Sequence, residues 1–294
     1  MFDQEPKKEK KEKLITSKIE LHFFRHAMKE RHDETDADYQ VALSSEGRKF
    51  MKEKSFPNAN INQAIAFGSP RIRTQEAAAI SMTGSQDEIT GDETFDVLKN
   101  KIDRDLKIGS KIGIDARLNI HDDPKSPLGK AIYEAFYRGE STKFLIEESD
   151  KFAKETGDTT HSNYSYKAGR VAQIIEKYLK IAPSWNKLVE NKDKKYNDTL
   201  ERYLSTHQGI CESFLAKVIE KTEGIEEKNK FITSIGSQGF DYAEGFDIEI
   251  KINNTDDPII EVKFKKDLKD GSGYSFKNKI SRSLIEEIIK EGIK

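Results

Sequence analysis

The sequence predicts an α/β fold: a three-layer sandwich with a mostly parallel central sheet, helices on both faces and a helical insertion. Three observations predict it. Short apolar stretches with strand-like alternation recur along the chain, helix-patterned segments follow several of them, and the middle of the chain has mainly helical periodicity. Strands that alternate with helices are typical of a sheet that helices cover on both faces.

The first third of the chain alternates strand and helix patterns. Residues 19–24 alternate in a way that predicts a strand, and residues 63–67 predict a second, buried strand. Between them, residues 44–54 predict a helix that Ser44 caps. A further helix is expected to begin at Pro70, because proline favours the first helical turn and the following residues are rich in Ala, Gln and Glu.

The middle of the chain is predicted to be mainly helical. Helical patterns cover residues 92–105, 127–153 and 166–179, and the second of them breaks near Gly139. Residues 114–118 predict one short strand among these helices.

The last third of the chain predicts a return to sheet structure. Residues 202–206 predict a third core strand, which leads into a helix over residues 209–219. Residues 246–252 alternate apolar and polar side chains and residues 259–264 form a second strand pattern, so the two predict an antiparallel hairpin. A helix over residues 280–289 is expected to follow.

The domain organisation is expected to have three parts. Residues 1–18 are rich in Lys and Glu and predict a disordered charged tail. Residues 19–294 predict a single domain, since lengths up to about 250 residues are routinely one unit. Within it, residues from about 85 to 197 are expected to form a mainly helical cap that decides the substrate.

Composition narrows the classes of partner and the compartment. The 50 Lys and Arg residues nearly cancel the 52 Asp and Glu residues, so the overall charge gives no reason to expect nucleic acid. No apolar run reaches the roughly 20 residues of a membrane span, and none near the N-terminus suits a signal peptide. Cys211 is the one cysteine of the sequence, which favours a reducing compartment and hence the cytoplasm.

Charged and polar side chains follow the three predicted core strands. Arg25 and His26 come directly after the first strand, a Ser-Pro-Arg-Ile-Arg run ending at Arg73 follows the second, and His207 follows the third. Ligands of such sheets sit in the crevice beyond the carboxyl ends of the strands, so these side chains should converge. Arg71 lies in the same run and is expected at the surface, with contact to a second anionic group of a substrate as the alternative.

This combination of side chains suits phosphate chemistry. An imidazole nitrogen can accept a phosphoryl group covalently, and a planar guanidinium can hold phosphoryl oxygens through paired hydrogen bonds. Because phosphoryl transfer spreads charge over the equatorial oxygens, two arginines and a second imidazole could stabilise it without a metal. His26 must then present a neutral nitrogen to phosphorus while its other nitrogen donates to a backbone carbonyl.

Four motifs together resemble those of a known family. In chain order they are Arg25-His26-Ala27, which resembles an RHG signature; Leu43-Ser44-Ser45-Glu46-Gly47, similar to an LTxxG helix; Ser69-Pro70-x-x-Arg73, similar to an SPxxR turn; and Thr206-His207-Gln208-Gly209, similar to a second-histidine motif. The chain therefore resembles the histidine phosphatase superfamily, which has the phosphoglycerate-mutase-like fold.

The resemblance implies a role for each matched side chain. It implies that His26 becomes phosphorylated and that Arg25, Arg73 and His207 bind the phosphoryl oxygens. It also implies an enzyme of the histidine acid phosphatase and phosphoglycerate mutase-like class, without metal or other cofactor.

The general acid is the part of the site that the motifs leave open. Protonating a leaving group requires a neutral carboxylic acid near the ester oxygen, and many members of the family carry it as a Glu in a segment resembling RLxE. Here residues 117–120 are Arg-Leu-Asn-Ile and lack that carboxylate. Asp122 is the expected acid, and Glu134 and Asp33 are the alternatives.

The sequence thus predicts a metal-independent phosphatase that cleaves phosphomonoesters or phosphohistidine through a phosphohistidine on His26. Its expected substrate is a phosphorylated small molecule or a phosphoprotein. One alternative is a non-catalytic member of the same fold that only binds a phospholigand. The other is a phosphotransferase of the phosphoglycerate mutase type.

Overall fold

The structure is a computed structural model. It describes residues 15–31, 38–55, 63–84, 89–105, 111–120, 123–160, 162–191, 196–253, 255–267 and 273–293. Within these ranges the chain forms an α/β sandwich with one central sheet, which confirms the predicted fold class.

The described part of the chain contributes seven strands to this sheet, in the order β3-β2-β4-β1-β5-β6-β7. The strands are β1 (Ile15–Arg25), β2 (Ile65–Gly68), β3 (Ile112–Ile114), β4 (Thr199–Thr206), β5 (Gly245–Asn253), β6 (Thr255–Asp267) and β7 (Gly273–Ile280). Strands β1 to β4 pair in parallel, whereas β5, β6 and β7 pair antiparallel to their neighbours. The expected mostly parallel sheet is therefore mixed, because short connections join β5, β6 and β7 and permit only antiparallel pairing.

The helices follow the predicted alternation with the strands. They are α1 (Ser45–Glu53), α2 (Ile72–Thr83), α3 (Phe95–Asp105), α4 (Pro127–Tyr137), α5 (Ser141–Lys143), α6 (Ser149–Thr156), α7 (Tyr164–Glu190), α8 (Ile210–Glu223), α9 (Ile225–Ile235) and α10 (Arg282–Gly292). A 3-10 turn covers Ala116–Leu118, and a π-helical segment, Phe144–Glu148, joins α5 to α6. None of the helices in the described ranges is long and apolar enough to cross a membrane.

The sheet is buried between two apolar cores. On one face, side chains such as Leu21 and Ile248 pack in a core with residues of α7, α8, α9 and α10. On the other face, Phe24, Ala66 and Tyr203 pack with residues of α1, α2 and α3. Each fully buried large apolar side chain contributes about 1.5 to 3 kcal/mol, so these cores hold the strand ends in fixed positions.

Local side-chain chemistry sets several boundaries that differ from the predicted ones. Helix α2 begins at Ile72 rather than Pro70, because Arg71 is extended and its backbone N–H donates to the Ser69 hydroxyl. The strand predicted over residues 114–118 is wrong beyond Ile114, since the Asp115 carboxylate accepts from the Arg117 backbone and forms the 3-10 turn.

The ends and the middle of the chain also differ from the predicted organisation. Strand β1 begins at Ile15, so residues 15–18 of the expected tail belong to the sheet, and residues 1–14 lie outside the described residues. Within residues 85–197, β3 belongs to the central sheet and α7 packs on a face of that sheet. Helices α4, α5 and α6 form a separate small cluster, with the core side chains Leu128, Ala135 and Phe144. Helix α9 and strand β7 were not predicted. The residues of β7 are mostly polar, because this strand lies at the edge of the sheet.

Leu21 lies at the centre of β1 and is 0% exposed. We expect Leu21→Ala to lower the free energy of unfolding by about 2 to 5 kcal/mol, because the removed methyls leave a cavity in the core. Urea unfolding followed by circular dichroism measures this. Lys277→Ala in β7, where the side chain is 69% exposed, should change it by no more than about 0.5 kcal/mol. Equal losses in the two variants would contradict this placement of β1.

Candidate active site

Two histidines meet at the carboxyl end of the parallel strands β1 and β4. Arg25 is the last residue of β1 and pairs in register with Thr206, the last residue of β4. The backbone N–H of His26 then donates to the Thr206 carbonyl at 3.0 Å. This pairing brings the rings of His26 and His207 to 5.1 Å between centroids, inclined at 76°. The predicted convergence of residues far apart in sequence is therefore present.

The His26 ring is fixed in one tautomer. Its Nδ1 lies 2.6 Å from the carbonyl oxygen of Ala27, and because a carbonyl can only accept, Nδ1 carries the proton. Its Nε2 accepts a hydrogen bond from Arg73 Nε at 3.3 Å. The lone pair of Nε2 is thus directed at the Arg73 guanidinium.

The surroundings of His26 keep this ring neutral. Burial, which has the largest effect, and the charge of Arg73 together lower the pKa of His26 to about 3, while the Ala27 carbonyl opposes the shift. Burial likewise holds the pKa of His207 well below its usual value, with the neighbouring His26, Arg73 and Arg71 adding to the effect. Both imidazoles are therefore uncharged at neutral pH.

Two buried nitrogen atoms next to His26 have no hydrogen-bond partner among the described residues: Arg25 Nε and His207 Nδ1. The other edge of His207 is fixed, since its Nε2 lies 2.9 Å from the Ser69 hydroxyl. Arg25 Nη1 donates to the Phe240 carbonyl at 2.5 Å. A buried polar atom that is left unpaired costs about 1 to 3 kcal/mol, so these two atoms mark a place for a polar ligand.

Arg73 is held in place by a carboxylate that sequence reasoning missed. Its Nη1 and Nη2 donate to Oδ1 and Oδ2 of Asp38, each at 3.0 Å, while Nε remains directed to His26. Arg71 forms a second ion pair with the same carboxylate, and Lys29 Nζ lies 3.2 Å from Asp38 Oδ1. No motif surrounds Asp38 in the sequence, so only the three-dimensional arrangement identifies it.

Arg71 belongs to this cluster, and its expected surface position is wrong. Its side chain is largely buried, and its Nε donates to Asn119 Oδ1 at 3.0 Å. Asn119 lies in the segment where the resemblance implied a catalytic carboxylate, and the Thr206 hydroxyl donates to the adjacent Leu118 carbonyl at 2.6 Å. The segment therefore reaches the site, but its side chain there positions an arginine.

The electrostatic balance of the site is positive. Arg25, Arg71, Arg73 and Lys29 are cationic around His26, and Asp38 is the acidic partner that three of them share. Burial lowers the pKa of Lys29, and the charges of Arg73 and Arg71 lower it further. Such a cluster attracts anions of two or more charges.

Among the described residues, none of the expected acids joins this cluster. Glu134 is exposed on α4. Asp122 and Asp33 lie outside the described residues. The Asp38 carboxylate is already engaged by Lys29, Arg71 and Arg73.

Comparison with known proteins gives likeness to solved structures only. No family model and no curated protein matches the chain. A structure described as mycobacterial hydrolase 2 aligns at 12% identity and a TM-score of 0.44, covering 93% of this chain and 97% of that one. Mycobacterial glucosyl-3-phosphoglycerate phosphatase aligns at 11% and 0.42, covering 80% and 90%. Hafnia alvei phytase in complex with tartrate aligns at 8% and 0.41, covering 95% and 97%.

Values this low carry no assignment of function. The resemblance of the chain to the histidine phosphatase superfamily stands on its four motifs.

The pKa of His26 can be measured directly. Because its folded value is lowered to about 3, the ring resonances of His26 should not shift between pH 7.5 and about pH 4.5, where a free histidine of pKa about 6.5 would be almost fully protonated. Histidine-selective labelling with NMR detection gives the titration, and His26→Ala assigns the signal. A midpoint near pH 6.5 would contradict the buried neutral ring.

Proposed function

We propose that this chain is a metal-independent phosphatase that cleaves phosphomonoesters or phosphohistidine through a phosphohistidine on His26. One observation carries the proposal: the Nε2 lone pair of His26 faces Arg73, while the proton on Nδ1 is held by Ala27. The unpaired Arg25 Nε and His207 Nδ1 support it. Phosphoryl oxygens would accept a hydrogen bond from the Arg25 Nε–H and, when the Ser69 hydroxyl donates to His207 Nε2, another from the His207 Nδ1–H.

In the first step, His26 Nε2 attacks phosphorus and the bond from phosphorus to the ester oxygen breaks. The new bond joins Nε2 to phosphorus, and Nδ1 keeps its proton, so the ring becomes a cation whose N–H still donates to Ala27. Arg25 and Arg73 stabilise the charge on the equatorial oxygens, which is where a loose transition state concentrates it. The Arg73 N–H that contacts Nε2 at 3.3 Å would turn to an oxygen when substrate enters.

In the second step, water attacks the phosphohistidine. The bond between Nε2 and phosphorus breaks, orthophosphate leaves, and the imidazole recovers its neutral form with the proton on Nδ1. The low pKa of His26 favours this step, since the neutral ring is the stable product in the buried site.

Asp122 is proposed as the proton carrier. It would give its proton to the leaving ester oxygen in the first step and take a proton from the attacking water in the second. An aryl oxide needs little protonation, so an aryl phosphate tests the histidine chemistry separately from the acid.

The small cluster formed by α4, α5 and α6 is proposed to select the substrate. It reaches the site through Gln208, the neighbour of His207. The Nε2 of Gln208 donates to the Ser141 hydroxyl at 3.1 Å. A second contact joins α5 to the segment that follows α9: the Thr142 backbone N–H donates to the Ser237 carbonyl at 3.1 Å.

Hydrolysis of para-nitrophenyl phosphate in the presence of EDTA tests the function. His26→Ala should reduce turnover by at least about 1,000-fold, because the nucleophile is removed. His22→Ala is the matched control: His22 stacks on Tyr203 and contacts Asp247, away from the cluster, so activity should remain. Undiminished activity in His26→Ala would contradict the proposal, and vanadate binding without turnover in the wild type would indicate a phospholigand-binding protein.

Asp38→Asn tests the positioning of Arg73. We expect kcat/KM to fall by about 10- to 100-fold, because an amide replaces the carboxylate that holds both Nη atoms and small displacements of a catalytic group are costly. Asp38→Glu should recover part of the loss. Asp247→Asn, at a half-exposed carboxylate on β5, is the control and should leave steady-state kinetics unchanged. Wild-type kinetics in Asp38→Asn would show that Arg73 needs no such support.

Asp122→Asn tests the acid. Turnover of an alkyl phosphate such as glycerol phosphate should fall by about 100-fold or more, while para-nitrophenyl phosphate hydrolysis changes little, because the alkoxide alone requires a proton. Glu134→Gln is the matched variant and should leave both substrates unaffected. The reverse pattern, with the selective loss in Glu134→Gln, would assign the acid to Glu134.

A further inference from the structure

A further buried guanidinium, that of Arg170, lies outside the His26 cluster. Arg170, in the first part of α7, is 6% exposed, and its Nη2 donates to the Ala116 carbonyl. Its Nε and Nη1 have no hydrogen-bond partner among the described residues. The proposed phosphatase chemistry makes no use of this side chain.

Arg170 also lacks a carboxylate partner within the described ranges. The nearby carboxylate of Asp115 is engaged by Arg117, whose Nη2 and Nε lie 2.6 and 2.9 Å from Oδ2 and Oδ1. The donors on Nε and Nη1 are buried without an acceptor among the described residues, and such donors are costly to leave unmet, so this position favours a bound anion.

The guanidinium borders a cavity of about 220 Å³ between the first part of α7 and the end of α10. The lining residues are Tyr166, Gly169, Arg170, Gln173, Gly292 and Ile293. Ile293, one of these lining residues, is 68% exposed. The helices meet closely at its base, since a Cβ on Gly169 would lie 3.0 Å from Gly292 Cα.

The chemistry of the lining suits a small oxyanion. The Tyr166 ring centroid lies 5.5 Å from the Arg170 guanidinium carbon, which holds the cation in place. Gln173 contributes an amide that can donate a hydrogen bond without adding charge. We propose that this cavity is a second anion site, which binds a small phosphate or carboxylate through Arg170.

Isothermal titration calorimetry tests the site without relying on turnover. Arg73→Gln weakens anion binding at His26, so it serves as the background for titration with orthophosphate and, separately, with acetate. We expect one anion bound per chain, and an affinity at least about 10-fold lower when Arg170→Gln is added. Binding of phosphate or of acetate alone supports the site and identifies which oxyanion it prefers.

Two further variants keep the test decisive if Arg170→Gln impairs folding. Gln173→Glu places a carboxylate in the cavity beside an intact Arg170 and should displace the anion. Arg138→Gln, at an exposed arginine that ends α4, should bind as its parent does. The proposal is overturned if neither anion binds in the Arg73→Gln background, or if Gln173→Glu and Arg170→Gln leave binding unchanged. Either result leaves the function proposed for His26 untouched.

Discussion

The parallel pairing of β1 with β4 is the constraint on which the site depends. Two neighbouring parallel strands end at the same edge, and the hydrogen bond from the His26 N–H to the Thr206 carbonyl continues their ladder by one residue. It sets the spacing of the two imidazoles, although 180 residues of chain separate them. The apolar cores on both faces pack against these strands and support this edge of the sheet.

Charge and burial act together around His26. Burial alone would leave a neutral ring that could bind any polar group, and the cations alone would attract anions without a nucleophile. The Ala27 carbonyl links the two effects, because it fixes the proton on Nδ1 and leaves Nε2 for phosphorus. Asp38 balances part of the charge of Arg71 and Arg73 and so makes a cluster of cations stable before substrate arrives.

The sequence predicted the parts of the site that local patterns encode. Strand-end position and motif spacing were enough to bring Arg25, His26, Arg73 and His207 together, because the fold class dictates where strand ends lie. Asp38 and the buried role of Arg71 were missed, since an ion pair across a loop leaves no periodic or motif signal. The same reason explains β7: its pairing partner, not its own composition, makes it a strand. Asp122 remains a prediction.

The central claim is a covalent phosphoryl group on His26, and rapid-quench mass spectrometry tests it most directly. The wild-type chain would be mixed with para-nitrophenyl phosphate, stopped in alkali, where phosphohistidine survives, and digested for peptide mapping. The account predicts one phosphoryl group on the peptide that contains His26, formed and lost at rates that match turnover. Steady turnover with no phosphopeptide, or with the group on another residue, would contradict it.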